Sequence, residues 1–465
     1  MITRQTSRMF SAAFALVLWL STLAITQAQT SSKDKTAGPV DNIQAPQQPA
    51  TATPETSAAN QITSGGPPAQ TPVYGLQGVL VERLDGKVVS MQAADETFNP
   101  ASAIKLATAL VALRTFGPEH RFTTGIWTTG TLDKTTGTIN GNLYVSGRDP
   151  SFHYEHAVMI ALQLNNLGIR TITGDLLIAP GFTMNFNRSA QRAGEQFYDT
   201  LDATLRSTEA TRTWLYERTV LGDKISLQTV PSVAVMGEVK VDPVAPGAKL
   251  LLSHKSSSMV DILKVLLCYS NNFMAERIGD RLGGRESVRR ELISFLNLDP
   301  GELVMSSLSG LGVNRVSSRV MMKIFRALRE ELQKYKLSPS DIMPVAGIDP
   351  GTLADRFTDL PSRGSVIAKT GTLARTDGGA SSLIGQMKAA NEEILLFVIM
   401  NQQGNILRFR DNQDYLVKQI QNSRGGPKAF EYDPHNLAMR LADTKSTITQ
   451  SDEYEPVLKV NHRTP

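Results

Sequence analysis

Residues patterned as β-strands stand at both ends of one long stretch, roughly 73–422, and helical patterns fill its middle. At its start Gly78-Val79-Leu80-Val81-Glu82-Arg83-Leu84 and Lys87-Val88-Val89-Ser90-Met91 flank Asp85-Gly86, a dipeptide suited to a two-residue hairpin turn. At its end Ser365-Val366-Ile367-Ala368-Lys369 and Glu393-Ile394-Leu395-Leu396-Phe397-Val398-Ile399-Met400 are β-rich, with another strand expected at 381–387. Between them, helical patterns cover 102–116, closed by Gly117, 259–282, closed by Gly283, and 317–335. Helices packed on an antiparallel sheet, an α+β class, accommodate that order.

Residues 122–249 interrupt the plan. Gly-rich hairpins such as 130–145, with turns at Asp133, Gly137 and Asn140-Gly141, mark an inserted β-rich domain. The body is then discontinuous, 73–121 with 250–422, and the 465 residues suffice for up to about three domains at ~150 each. With 41% hydrophobic and 20% charged residues, the chain is neither wholly disordered nor polytopic in a membrane. The net charge of +4 lacks any Lys/Arg cluster interleaved with aromatics, which excludes a nucleic-acid partner. A lone Cys268 excludes an internal disulfide framework and a Cys-based zinc site, and no motif calls for a cofactor.

Arg4 and Arg8 precede an apolar stretch at 10–25 that ends in Thr26-Gln27-Ala28, the layout of a signal peptide over 1–28. About 16 apolar residues are short for a spanning helix of ~20, so cleavage is expected rather than anchoring. Either outcome places the body outside the cytoplasm, in the periplasm or cell envelope, with peripheral membrane association left open. Residues 29–72, rich in Gln, Thr, Ser, Ala and Pro, read as a disordered linker. Residues 423–465, with Arg424-Gly425-Gly426-Pro427, read as a tail that is either loose or weakly docked.

Three short motifs carry chemistry. In Asn99-Pro100-Ala101-Ser102-Ala103-Ile104-Lys105 a capping Asn and an early Pro start an apolar helix, and Ser102 and Lys105 share its face one turn apart. A lysine can take the hydroxyl proton only if its usual pKa of ~10.4 falls, through the helix dipole, burial or a second cation such as Lys369. Alone, S-x-x-K is weak: about 1–2 matches arise by chance in a chain this long, Ser32 with Lys35 among them. Ser102 standing alone would read as a capping hydroxyl. The second candidate, Ser270-Asn271-Asn272, breaks an apolar helical pattern with polar side chains that need partners if buried. A helix kink explains it equally, and Tyr269-Ser270-Asn271 offers a second register. The third, Lys369-Thr370-Gly371-Thr372, follows an apolar strand; Gly admits a substrate backbone, while Lys and Thr can hold a carboxylate. The plainer reading is a solvated edge lysine beside a turn.

Jointly, and in this order, the three form the motif set associated with penicillin-binding proteins and class A β-lactamases. The chain resembles the low-molecular-mass class C penicillin-binding proteins, the D-alanyl-D-alanine carboxypeptidase/endopeptidase family. Gly141-Asn142-Leu143-Tyr144-Val145-Ser146-Gly147-Arg148-Asp149-Pro150, His254-Lys255-Ser256-Ser257-Ser258-Met259, Ser309-Gly310-Leu311 and Ala346-Gly347-Ile348-Asp349-Pro350-Gly351-Thr352-Leu353 support the resemblance, which covers most of 73–405. Three departures stand out: a short gap between Lys105 and Ser270, a long stretch at 374–380, and Leu308 where an acidic residue often precedes Ser-Gly-Leu.

The resemblance implies a transpeptidase-like fold shared with serine β-lactamases, carrying an insertion. It implies an enzyme that cleaves the bond between two D-Ala residues of peptidoglycan stems, or D-Ala cross-links, through an acyl-enzyme that β-lactams also form. Ser102 would be the nucleophile, Lys105 its base, Ser270 a proton relay and Asn272 a peptide anchor. Lys369, Thr370, Gly371 and Thr372 would bind the substrate, with the Ser102 and Thr372 N–H groups on the oxyanion. Rival readings are a β-lactamase or esterase with Glu276 as base, a silent wall-binding protein, and a metal enzyme built on His153-Tyr154-Glu155-His156, which lacks a clustered third ligand. Cys268, on an apolar helical face, reads as a core thiol.

Overall fold

The computed structural model describes residues 74–224 and 226–449. The expected signal segment 1–28, the linker 29–72 and the end of the tail from 450 lie outside the described residues. Strands β1 (Leu76–Arg83) and β2 (Val88–Gln92) open the body. Their connection is one residue wider than expected. Gly86 takes φ 88° and donates its N–H to Arg83 O, while Arg83 N–H donates to Lys87 O, so Leu84 joins Asp85-Gly86 in the loop.

Helix α1 (Lys105–Phe116) follows a single 3-10 turn, Ala101–Ile104. Every α1 residue from Lys105 to Leu113 is buried, as befits an Ala- and Leu-rich helix without a polar face. The pattern at 259–282 resolves into two helices, α2 (Met259–Tyr269) and α3 (Asn272–Arg281), followed later by α4 (Ser318–Lys334). Strands β3 (Val366–Leu373), β4 (Ala380–Lys388) and β5 (Ile394–Gln402) then form, and α5 (Ile406–Asn422) closes the body.

The sheet runs β3-β4-β5-β1-β2, antiparallel throughout, so the first strand pairs with the last, Val79 opposite Ile399. Alternation divides its two faces. Leu80, Ile367, Ile384, Leu396 and Val398 join the core of α1, α2 and α4, whereas Val81, Ala368, Leu383, Phe397 and Ile399 pack under α5. Strand β3, the motif carrier, lies at the sheet's edge.

Residues 123–255 fold around a second core that includes Ile126, Val145, Phe152, Ile160, Ile178 and Phe197. Strands Thr123–Thr128, Leu143–Gly147, Leu176–Ile178 and Lys249–Lys255 lie in one six-stranded sheet, and the expected hairpin appears as Thr131–Asp133 and Thr138–Asn140 in a four-stranded one. The region is more helical than the sequence reading, with helices at Tyr154–Asn166, Ala190–Leu201 and Thr208–Val220. Its sheet also reaches past 249, because Lys249–Lys255 pairs with Thr123–Thr128 and not with the body's sheet. The segment read as a tail is docked. Helix Leu437–Ala442 buries Leu437 and Leu441, and strand Lys445–Ile448 pairs with Lys249–Lys255. Among the described residues, no helix is long and apolar enough to cross a membrane.

Candidate active site

Ser102 is aimed by a strained turn. Ala101 takes φ 48°, left-handed for a residue with a Cβ, and Asn99 Oδ1 accepts the Ala101 N–H at 3.0 Å to hold it there. Asn99 thus stabilises the turn two residues ahead of helix entry, while Pro100 occupies the cap position. Lys105 at the first α1 position is fully buried, and its Nζ reaches Ser102 Oγ at 2.8 Å, Asn272 Oδ1 at 2.7 Å and Ser309 O at 2.5 Å. Two of those partners can only accept. Lys105 Nζ also donates to Ser102 Oγ, whose own O–H donates to Ser309 O at 3.3 Å; a neutral amine gives its two N–H groups to the two acceptors and receives the hydroxyl proton once the Ser102 O–H turns from Ser309 O toward it. Burial, with the Lys369 cation adding to it and Glu276 opposing, holds the Lys105 amine well below the ordinary lysine range.

The helical pattern breaks between α2 and α3 for a local reason. Ser270 caps α2 in a left-handed conformation, φ 56°, and Asn271 caps α3 by accepting the Met274 N–H at 3.0 Å. The break turns Ser270 and Asn272 to the same side. Ser270 Oγ lies 2.8 Å from Lys369 Nζ and Asn272 meets Lys105, whereas Asn271 is spent as a cap. This geometry selects the Ser270-Asn271-Asn272 register.

Strand β3 runs on through the third motif. Lys369 points to the inner face, fully buried, with Nζ on Ser270 Oγ and 2.7 Å from Thr370 O, and burial brings it down to about 7. Lys369 therefore meets Ser270 on the inner side of the strand. Gly371 is also small for a different reason than expected. A Cβ there would stand 2.4 Å from Pro100 O and 2.2 Å from Ser382 Oγ, so the glycine seats the strand against the serine turn. Thr370 and Thr372 alternate to the α5 face, and Thr372 Oγ1 accepts from Arg410 at 2.9 Å.

Ser309 is a site residue that its side chain does not announce, because its backbone oxygen binds both Lys105 Nζ and, at 3.3 Å, Ser102 Oγ. Gly310 follows at φ 92°; a Cβ there would sit 2.1 Å from Ala101 O. Glu276 Oε1 accepts the Ser309 N–H at 2.9 Å, so it positions this loop. Leu308, at the position where an acid was expected, is buried against Gly279 of α3. His153 and His156 cap their own helix, His153 N–H donating to His156 Nδ1, and burial drives His156 down to about 3. Burial pushes the Cys268 thiol up to about 12, leaving it unreactive.

A family model described as the D-Ala-D-Ala carboxypeptidase 3 (S13) family matches residues 70–192 and 198–441, well over half of the chain. The chain belongs to this family. As an S13 member it is a serine DD-peptidase, a cell-wall enzyme acting on peptidoglycan outside the cytoplasm. The D-alanyl-D-alanine carboxypeptidase of Actinomadura sp. (strain R39) is 24% identical over 421 residues, covering 70% of this chain and 77% of that protein. The S13 fold of the chain resembles the predatory endopeptidase Bd0816 of Bdellovibrio bacteriovorus, with 21% identity and a TM-score of 0.67 over 81% of this chain and all of that one. Penicillin-binding protein 4 of Haemophilus influenzae gives 19% identity and a TM-score of 0.56, covering 74% of this chain and 97% of that one.

Proposed function

We propose that this enzyme cleaves D-Ala-D-Ala termini of peptidoglycan stems, and D-Ala cross-links of the same stereochemistry, by the following sequence. Neutral Lys105 takes the Ser102 proton, and the Ser102 oxygen attacks the carbonyl of the penultimate D-Ala. The N–H groups of Ser102 and Thr372 stabilise the oxyanion, and Asn272 donates its amide N–H to the peptide while its Oδ1 stays on Lys105. Ser270, held by Lys369, passes its proton to the departing amine and takes in exchange the proton that Lys105 removed from Ser102, which returns Lys105 to its neutral form. Water then releases the acyl group from Ser102 and restores the hydroxyl. β-Lactams, whose ring carbonyl opens the same way without a leaving group that diffuses off, remain on Ser102. We further propose that residues 1–28 direct export to the periplasm or cell envelope.

The observation that carries this reading is the Lys105 amine, buried between two obligate acceptors and the Ser102 hydroxyl. Mass spectrometry after penicillin treatment should find one penicilloyl adduct, on the peptide holding Ser102, and none in Ser102→Ala. Labelling of Ser102→Ala at the wild-type rate would sink the assignment.

A further inference from the structure

A motif that the site leaves unused, His153-Tyr154-Glu155-His156, stands beside a strained turn in the inserted domain. The turn Met184-Asn185-Phe186-Asn187 closes with Asn187 N–H on Met184 O at 2.9 Å, and both central residues are left-handed, Asn185 at φ 50° and Phe186 at φ 62°. Such a turn suits Asn and then Gly, because glycine meets no Cβ penalty there. A phenylalanine in the second place costs stability, so its surroundings must hold it. Asn185 N–H donates to Phe152 O at 3.0 Å. His153 Nδ1 lies 3.2 Å from Asn185 Oδ1, and its ring meets Phe186 edge to face with centroids 4.6 Å apart. The first histidine of the motif thus braces the turn.

The ring so held reaches out of the inserted domain. Phe186 packs against the core of the body, and there it meets Phe273 of α3, edge to face with centroids 5.6 Å apart. Phe273 directly follows Asn272, is itself buried, and has the Arg277 guanidinium 5.6 Å from its ring centroid. The first turn of α3 is therefore gripped both by its own Arg277 and by a residue of the insertion. We propose that Phe186 is a positioning residue for the active site: its ring, set on Phe273, fixes the turn that places Asn272 Oδ1 2.7 Å from Lys105 Nζ. The backbone strain then has a use. Glycine at this place would relax the turn and lose the contact, whereas phenylalanine keeps the costlier backbone and reaches α3. The insertion acts on the reaction through that helix.

This assignment rests on the peptidase reading, in which Asn272 serves the reaction, and a double-mutant cycle separates the two. The second-order rate of acylation by a fluorescent penicillin is measured on the full chain, with a thermal melt of each variant. Phe186→Ala should acylate about tenfold more slowly than wild type, because a small misplacement of a reacting group is costly. Phe186→Tyr keeps the ring and should restore the rate. In an Asn272→Ala background, Phe186→Ala should change the rate by less than about twofold, since the residue it positions is gone. A chain merely weakened by losing the ring would show the same tenfold loss in both backgrounds. That outcome, or a wild-type rate in Phe186→Ala, overturns the role of Phe186 and leaves the peptidase intact. If Phe186→Ala melts below the assay temperature, Phe186→Leu takes its place in both backgrounds under the same criterion. Asn272→Ala acylating as fast as wild type overturns the role of Asn272 and this inference with it.

Discussion

At the scale of single residues, the proposed chemistry turns on which of the two lysines buried at the site, Lys105 and Lys369, carries a proton. In the proposed mechanism Lys105 works only when neutral, so the acid limb of acylation should report its titration. Burial sets most of its depression, the Lys369 charge adds to it, and Glu276 works against it. The signs are opposite for the two neighbours. Glu276→Gln removes the charge that favours protonated Lys105, so the acid limb should move to lower pH. Lys369→Ala removes the charge that disfavours it, so the limb should move to higher pH, whatever happens to the plateau rate. Acylation rates with a fluorescent penicillin across pH 4–9 measure the midpoint in each variant. Midpoints unmoved in both would mean that some other group sets the limb.

At the scale of elements, three segments meet around the serine turn, and one carboxylate ties them together. Asp377, in the long stretch between β3 and β4, accepts from Asn99 Nδ2 at 2.7 Å and from both arms of Arg315 at 2.6 and 3.0 Å, while Asn99 Nδ2 also reaches Gly312 O at 3.0 Å. Asp377 itself sits at φ 54°, a cost accepted to aim that carboxylate. Asp377→Ala should therefore slow penicillin acylation about tenfold and cost on the order of 1 kcal/mol in a thermal melt, with the pH midpoint unchanged. A wild-type acylation rate would show that the serine turn holds without the clamp. Elements of this kind explain what sequence could reveal. β-Rich apolar runs gave away β3 and β5, such a run beside the Asp85-Gly86 turn gave away β1, and the apolar run after Lys105 gave away α1, because burial imposes those patterns locally. The Ser270 and Asn272 pair was visible as polar residues breaking a helix, but its register needed the left-handed cap at Ser270. Ser309 acts through a backbone oxygen and leaves no side-chain signature. Asp377 and Arg410 are ordinary charged residues until the fold brings them to Asn99 and Thr372.

At the scale of the whole molecule, the C-terminal segment 424–449 closes over both cores, and its reach extends to the second motif. Tyr432 OH donates to Asp349 Oδ1 at 2.7 Å, and Asp349 Oδ2 pairs with Lys264 Nζ at 2.7 Å inside the protein. Lys264 is on α2, the helix that ends at Ser270, and Thr352 N–H of the same Asp349 loop donates to Cys268 O at 2.9 Å two residues before that serine. Leu437 and Leu441 bury themselves against this core, and Arg440 NH1 reaches Asp261 at the start of α2 at 3.0 Å. A chain ending at 423 deletes those leucines and with them their burial, worth about 1.5–3 kcal/mol each, and strips a hydrogen bond from a buried carboxylate. Its melting temperature should fall by well over the shift expected for Asp377→Ala, and its penicillin acylation should slow because α2 no longer holds Ser270 against Lys369. Tyr432→Phe isolates the link, since it keeps the ring over Lys264 and removes only the hydroxyl; it should cost about 1 kcal/mol. If the shortened chain melts and acylates as the full one does, the segment is an ornament on the fold, and the path from Tyr432 to Ser270 carries no energy.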